Sequence, residues 1–168
     1  VAAAARFIPS LLELGGKPPA IVMAGADLDR AATAILRSAV YNTGQVVRDQ
    51  HIYVDNAVLP QFVQILAEKA RSLEINYPNI DKGEIGLFFF APQAQTVATH
   101  VHEAVSKEAR LIIGGEVEIH EGGLYMRATV IDEANHDMRA MTEETFGPIA
   151  PVMCFTDIAE AVRLANDT

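Results

Sequence analysis

The stretch AIVMAGADLDRAATAILRSAVY, at residues 20–41, contains two different hydrophobic periods, one after the other. Residues 20–23 form an apolar run of strand length, and Gly25 ends that run. Asp27 is a good N-cap for a helix over residues 28–41, in which apolar residues recur every three or four positions. The stretch therefore predicts a strand that leads directly into an amphipathic helix.

The same alternation of short apolar runs and longer amphipathic segments continues to the end of the chain. Strands joined by helices of about ten residues or more need crossover connections, which place the strands parallel. We therefore expect an α/β fold, a three-layer α/β/α domain with a mostly parallel sheet, over residues 1–168. The further predicted strands are 52–54, 111–113, 129–131 and 150–155, and the further predicted helices are 59–73, 93–108 and 158–166.

The composition is that of one ordinary globular domain. With 168 residues, half of them apolar, the chain can bury enough surface to fold without disulfides or metals. The single cysteine, Cys154, cannot form an internal disulfide, which fits a reducing compartment, so we expect a cytoplasmic protein. Because Cys154 falls within the predicted strand 150–155, we expect its side chain to pack in the core.

Charge and hydropathy exclude two classes of partner. The chain carries 13 Lys and Arg against 22 Asp and Glu, a net charge of −9, so we expect it to bind neither nucleic acid nor an anionic membrane surface. The longest uncharged apolar stretch, residues 85–91, is far shorter than the ~20 residues that cross a bilayer. Within it, residues 87–90 are either an exposed association surface or a buried central strand.

The histidine spacing predicts no metal site. His100 and His102 lie two positions apart on a predicted helix, where they do not share a face, and the i, i+4 spacing of helical zinc sites is absent. His51, His120 and His136 are isolated in the sequence, and we expect them to be exposed to solvent. The sequence therefore offers no set of metal ligands.

Three loop motifs carry the residues that could do chemistry. ELGGKP at 13–18 places a carboxylate before a double glycine, where the backbone either approaches a ligand closely or simply turns. NTGQVV at 42–47 follows a helix, so its glycine is either a C-cap or part of a functional loop. EETFGP at 143–148 joins two carboxylates and an aromatic residue to a turn, although a solvated loop has the same composition. Each motif alone leaves both interpretations open.

Taken together and in order, the motifs resemble the aldehyde dehydrogenase superfamily. The resemblance rests on Glu-Leu-Gly-Gly-Lys at 13–17, Asp-Leu-Asp at 27–29, Asn-x-Gly-Gln at 42–45 and Glu-Glu-x-Phe-Gly-Pro at 143–148, and it covers nearly the whole chain. It looks closest to the lactaldehyde and glycolaldehyde type. The resemblance implies the catalytic-domain fold and, for the parent enzyme, NAD(P)-dependent oxidation of a small aldehyde to a carboxylic acid by a cysteine thiolate and a glutamate base.

The resemblance also implies roles for individual residues. Glu13 matches the general base, and Leu14 and Gly15 match the backbone that lies beside the nicotinamide. Glu144 matches the carboxylate that holds the nicotinamide-side ribose, and Phe146 matches the aromatic residue next to it. We therefore expect Leu14, Gly15, Glu144 and Phe146 to be the coenzyme-binding positions of this chain.

The residue that matches the nucleophilic cysteine is a valine. Counting two positions on from Gln45 gives Val47. The segment before the next strand is one residue shorter than the family pattern, and counting back from that strand gives Val46 instead and puts the family's arginine at His51. Both registers replace the thiol by an alkyl group, so we expect this chain to be catalytically defective.

Two functions from different classes are compatible with this pattern. In the first, the chain is an aldehyde dehydrogenase catalytic-domain segment that lacks the coenzyme-binding domain and the C-terminal tail and binds NAD(P) weakly or not at all. In the second, it is a non-catalytic interaction or oligomerisation module that keeps the fold. Surface that the family buries is expected to be exposed in either case, so we expect a homo-oligomer.

Overall fold

The computed structural model describes residues 3–12, 15–45 and 51–167 of the chain. The strands are β1 (Pro19–Val22), β2 (His51–Asp55), β3 (Arg110–Ile113), β4 (Val117–His120), β5 (Gly123–Met126), β6 (Thr129–Asp132) and β7 (Ile149–Phe155). The helices are α1 (Leu28–Val40), α2 (Leu59–Ser72), α3 (Ala91–Ser106), α4 (Arg139–Thr142) and α5 (Ile158–Ala165), with short 3-10 turns at Ala4–Arg6 and Tyr41–Gly44.

Five strands form one sheet in the order β1-β2-β7-β6-β3. The first four of these strands run parallel to one another, and β3 pairs antiparallel with β6 at one edge. β4 and β5 form a separate antiparallel hairpin. The predicted mostly parallel sheet is therefore confirmed, whereas the sequence pattern did not predict the hairpin.

Helices cover both faces of the sheet. Tyr53 and Val54 are successive residues of β2, so their side chains point to opposite faces. Tyr53 packs in the core that α3, α4 and α5 cover, whereas Val54 packs in the core that α1 and α2 cover. Both side chains are fully buried. Two cores on either side of one sheet make the three-layer α/β/α arrangement that the sequence predicts.

The helix predicted from residues 28–41 begins at its predicted N-cap. Asp27 Oδ1 accepts a hydrogen bond from the backbone N–H of Arg30 at 3.1 Å, which satisfies one of the free amides of the first turn. The chain then enters the 3-10 turn that begins the candidate site. The buried face of α1 consists of Ala32, Ile35, Leu36, Ala39 and Val40.

Cys154 is exposed, so the prediction that it packs in the core is wrong. It pairs in register with Val54 of β2, on the face of the sheet that α1 and α2 cover. On this face Val152 is buried and Cys154 is not, whereas on the opposite face Phe155 is still buried. Strand β7 therefore extends beyond its helical cover on one side only.

The three isolated histidines are not exposed as predicted. His51 is fully buried, because it begins β2, a strand with a neighbour on each edge. His120 and His136 are partly buried. The ring of His120 stacks on Tyr77 with centroids 4.6 Å apart, and the ring of His136 contacts Tyr53. Aromatic partners that are distant in sequence thus cover rings that look solitary in the sequence.

The apolar run at residues 87–90 forms no strand, so the alternative of a buried central strand is wrong. Phe88 is buried in the core beneath α3. Phe89 and Phe90 are 94% and 62% exposed. Phe90 is the N-cap residue of α3, so the run is the approach to that helix.

Candidate functional site

Gly15, Gly16 and Glu144 belong to two motifs that are distant in sequence, and the fold brings them into contact. The N–H of Gly16 donates a hydrogen bond to Glu144 Oε1 at 2.5 Å, across 128 residues of sequence. Gly15 has a φ of +77°, and a Cβ on it would lie 2.5 Å from the same oxygen. Glycine is the residue that combines this backbone conformation with so close an approach of a carboxylate.

The turn after α1 packs against the same loop. Asn42 and Thr43 have φ values of +51° and +59°, in the left-handed region that a β-branched residue rarely adopts. Gly44 follows with a φ of +67° and is buried. Its backbone lies so close to the carbonyl group of Gly147 that a Cβ would overlap it. All three loop motifs of the sequence therefore meet at one place.

The adjacent carboxylates Glu143 and Glu144 face different neighbours. Glu143 Oε2 accepts a hydrogen bond from Arg139 Nε at 2.9 Å and lies 3.6 Å from His100 Nε2. The hydrogen bond from Arg139 holds the pKa of Glu143 below its ordinary value. Glu143 therefore ties the loop to α4 and α3, and Glu144 is the carboxylate presented to the double glycine.

Helix α3 supports the loop from beneath. His100 Nδ1 lies 3.0 Å from Thr145 Oγ1, and both side chains are buried. Gln93 Nε2 donates a hydrogen bond to the carbonyl oxygen of Thr145. Gly147 lies against Val97 so tightly that a Cβ would overlap the isopropyl group. These contacts fix the loop that carries Glu144 against the helix.

Phe146 opens onto a cleft of about 900 Å³ between the turn after α1 and the residues that precede α3. Its apolar lining includes Leu87, Phe89 and Phe90, and its polar lining includes several side-chain amides. None of the described residues that line it carries a charge. Such a lining suits a flat aromatic group that is held by ring contact and by hydrogen bonds from amides.

A separate group of buried polar side chains lies where β1 and β2 begin. Lys17 precedes β1 and is buried, and His51 is the first residue of β2. Burial, together with the nearby charges of Lys17 and His136, lowers the pKa of His51 to about 4. Within the described part of the chain, neither ring nitrogen of His51 has a hydrogen-bond partner. The imidazole is therefore neutral at pH 7.

Tyr53 and His136 extend this group. The hydroxyl oxygen of Tyr53 lies 2.6 Å from His136 Nε2. Burial, with a smaller contribution from the charge of Asp167, raises the pKa of Tyr53 to about 12. Burial also lowers the pKa of His136. The phenol and the two imidazoles are thus held in their neutral forms at neutral pH.

Four predicted site positions, Glu13, Leu14, Val46 and Val47, lie outside the described residues. Of the other three, the structure places Gly15 against Glu144, and it places Phe146 two residues further along the same loop, in the wall of the cleft. The predicted coenzyme positions that the structure describes are therefore neighbours.

Within residues 3–12, 15–45 and 51–167, no helix has both the length and the apolar composition that crossing a membrane requires. The same residues contain no group of three or more His, Cys, Asp or Glu side chains that could hold a metal ion.

Three residues that hold these loops have no role in the sequence-based prediction: Gln45, Gln93 and His100. His100 follows Val97 by three positions on the buried face of α3, so the helical period alone identifies it as inward-facing. The amides of Gln45 and Gln93 bond to main-chain groups at least 42 residues away. No short-range pattern predicts such partners.

The sequence matches the model of the aldehyde dehydrogenase family over residues 1–168. Lactaldehyde dehydrogenase of Escherichia coli (strain K12) is 37% identical over 172 residues, which cover 100% of this chain and 36% of that protein. The structure of PutA from Anabaena variabilis superposes with a TM-score of 0.92 at 49% identity, over 99% of this chain and 36% of that one.

An indole-3-acetaldehyde dehydrogenase whose structure was solved with NAD+ superposes with a TM-score of 0.86 at 32% identity, over 93% of this chain and 32% of that one. The chain thus spans about a third of the length of the relatives it matches. The match over every residue, the shared α/β fold and the meeting of the three motifs agree. The chain belongs to the aldehyde dehydrogenase family.

Proposed function

We propose that this chain is a catalytic-domain segment of an enzyme whose parent reaction is the NAD(P)-dependent oxidation of an aldehyde to a carboxylic acid, and that the segment by itself is catalytically silent. The observation that carries the first part is the contact of Gly15 and Gly16 with Glu144. That contact joins the two motifs to which the family resemblance assigns the base, the nicotinamide-facing backbone and the ribose-binding carboxylate.

We propose that the segment is inactive because a valine stands at the nucleophile position. Covalent catalysis on an aldehyde needs an ionisable thiol, and neither Val47 nor Val46 has an ionisable group. Cys154 is too far away to substitute. It lies five residues along β7 from Ile149, or ~17 Å at the rise of an extended strand, whereas the loop that carries Glu144 ends where β7 begins.

The described residues fit the nicotinamide-ribose end of NAD(P). Glu144 is exposed, and the hydrogen bond from Gly16 uses one carboxylate oxygen, so the other can accept a ribose hydroxyl. Phe146 offers an aromatic face in an uncharged cleft. When bound, the coenzyme would accept hydride from the substrate carbon. Glu13 would act as the base that activates water, and the backbone at Leu14 and Gly15 would lie beside the nicotinamide.

The test is the binding of nicotinamide mononucleotide, which contains the ribose end and one phosphate. We expect shifts of the Gly16 and Phe146 amide resonances with a dissociation constant of about 1 mM, which corresponds to roughly −4 kcal/mol. Full NAD should bind no tighter than about 100 μM, because the matched contacts address one end of the molecule. The binding should be lost in Glu144→Gln.

Glu143→Gln is the matched control, because Glu143 is the adjacent carboxylate and points toward Arg139. It should leave the mononucleotide shifts in place. Equal binding by Glu144→Gln and the unmodified chain would contradict the assignment of Glu144, and saturable NAD binding below 100 μM would contradict the restriction to the ribose end.

A second candidate function, a non-catalytic interaction module, is favoured by one observation. Phe89 and Phe90 are adjacent aromatic residues that are mostly exposed at the rim of the cleft. Exposed aromatic pairs of this kind are typical of surfaces that bind another protein. The proposed partner is a second copy of this chain.

We therefore expect the chain to self-associate at micromolar concentration, and Phe89→Ser with Phe90→Ser to shift it toward the monomer. Light scattering across a concentration series measures this. Met23→Ser is the control, since Met23 is an exposed apolar residue outside the cleft lining. A strict monomer throughout the series would remove the interaction module from consideration.

A further inference from the structure

The side chain of Gln45 makes two hydrogen bonds to one short stretch of backbone. Its Nε2 donates to the carbonyl oxygen of Leu87 at 3.2 Å, and its Oε1 accepts from the N–H of Phe89 at 2.6 Å. Gln45 ends the strained turn after α1, and the stretch it contacts is the approach to α3. The amide therefore joins the loop of the nucleophile position to a segment more than 40 residues further along the chain.

The two backbone groups lie on the same side of the chain, as they do in an extended strand. A parallel neighbouring strand would satisfy such a pair with the N–H and the C=O of one residue, and the side-chain amide of Gln45 takes the place of these two groups. On the other side, the N–H of Phe88 donates to the carbonyl oxygen of Leu124 in β5 at 2.7 Å. The stretch is thus held from both sides, with the Phe88 ring buried between.

This arrangement requires an amide at position 45. The carbonyl oxygen of Leu87 can only accept a hydrogen bond, and the N–H of Phe89 can only donate one, so the side chain must offer one donor and one acceptor. An ionised glutamate offers two acceptors and would place its charge against the Leu87 carbonyl. A protonated glutamic acid offers both groups again.

We infer that Gln45 is a positioning residue: its side-chain amide fixes the end of the turn after α1, immediately before the nucleophile position at Val46 or Val47 in the sequence. Asn42 and Thr43 hold left-handed backbone conformations just before it, and Gly44 is pressed against Gly147. Gln45 holds the end of this strained turn in place. This inference rests on the proposed function, because that function assigns the nucleophile position to the residues that follow Gln45.

The first test measures the hydrogen bond itself by amide exchange. In Gln45→Ala, we expect the Phe89 amide to exchange about tenfold faster relative to the Phe88 amide, because the Phe88 amide keeps its partner in β5. In Gln45→Glu, the Phe89 protection should be weak at pH 7 and should return as the carboxyl group is protonated. Gln64→Ala is the control, since Gln64 is an exposed glutamine on α2 and contacts Glu68.

The second test measures the loop through a thiol placed at the nucleophile position. In Val47→Cys with Cys154→Ser, and separately in Val46→Cys with Cys154→Ser, we compare the pH dependence of iodoacetamide alkylation with and without Gln45→Ala. We expect the register that carries the nucleophile to show a thiol pKa that rises toward 8.5 when Gln45 is removed. Gln64→Ala should leave that profile unchanged.

An identical alkylation profile with and without Gln45 in both registers would overturn the positioning role, even if the Phe89 amide lost its protection. An unchanged exchange rate of the Phe89 amide in Gln45→Ala would also contradict the hydrogen bond between Phe89 and Gln45. The binding of nicotinamide mononucleotide is tested with Glu144→Gln in a chain that keeps Gln45, so the two proposals fail separately.

Discussion

Acidification from pH 7 to pH 4 should lower the free energy of unfolding by about 3 kcal/mol through one side chain, His51. Its pKa is about 4 in the fold, against 6.5 for the free group, because the ring is fully buried and lies near Lys17 and His136. Between these values the unfolded chain takes up a proton and the folded chain does not. Stability from this source is therefore complete above pH 6.5, falls as the pH falls, and levels off near pH 4.

Urea unfolding at a series of pH values measures this loss, and His51→Gln should make the curve between pH 6.5 and 4.5 less steep, with the remaining slope including His136, whose pKa burial also lowers. That window lies above the range in which Glu118 and Glu143 are protonated, since the pKa values of both are lowered. His102→Gln is the control, because His102 is an exposed histidine. Parallel curves for His51→Gln and the unmodified chain would refute the assignment. An NMR titration of the His51 ring in the unmodified chain, with a midpoint near 4, gives a check that needs no variant.

The second expected result concerns catalysis. The 168-residue chain should form no NADH from glycolaldehyde, lactaldehyde or propanal over hours, because no thiol is present at Val47 or Val46 to form the adduct from which hydride leaves. Val47→Cys should restore thiol labelling and slow ester hydrolysis, and it should not restore NADH formation. Absorbance at high enzyme concentration measures both reactions.

The exposure of Cys154 determines the control for this experiment. An exposed thiol reacts with labelling reagents wherever it lies, so the unmodified chain will be labelled once, and the Val47→Cys result is meaningful in a Cys154→Ser background. Steady NADH formation by the unmodified chain that persists in Cys154→Ser would mean that the nucleophile has been assigned wrongly.

Much of the fold could be predicted because its elements have clear periods. The strand and helix of residues 20–41, with Asp27 as the cap, appear at the predicted positions. The hairpin of β4 and β5 could not be predicted in the same way, because its two short strands pair only with each other and lie outside the main sheet. Cys154 shows a related limit: alternation along a strand predicts which face a side chain points to, and it does not predict where the covering helices end.

The candidate site could be predicted from the family motifs and not from local physics. Glu144 and Gly16 are 128 residues apart, and nothing in either stretch alone specifies the other. His51 illustrates the same problem for burial, since its surroundings come from β1, β7 and the loop that carries His136. The amide of Gln45 could not be predicted by either route, because its partners are main-chain atoms that any sequence supplies.

The contact of Gly44 with Gly147 has a consequence for how such a chain can evolve. The loops are joined through Gly44 with Gly147 and through Gly16 with Glu144, and none of these residues is the nucleophile. The packing of the loops therefore constrains these positions, whereas it places no such demand on the position proposed for the nucleophile. A change at the nucleophile position therefore need not disturb either contact, and a lineage that loses the reaction can still inherit the architecture that these glycines hold together.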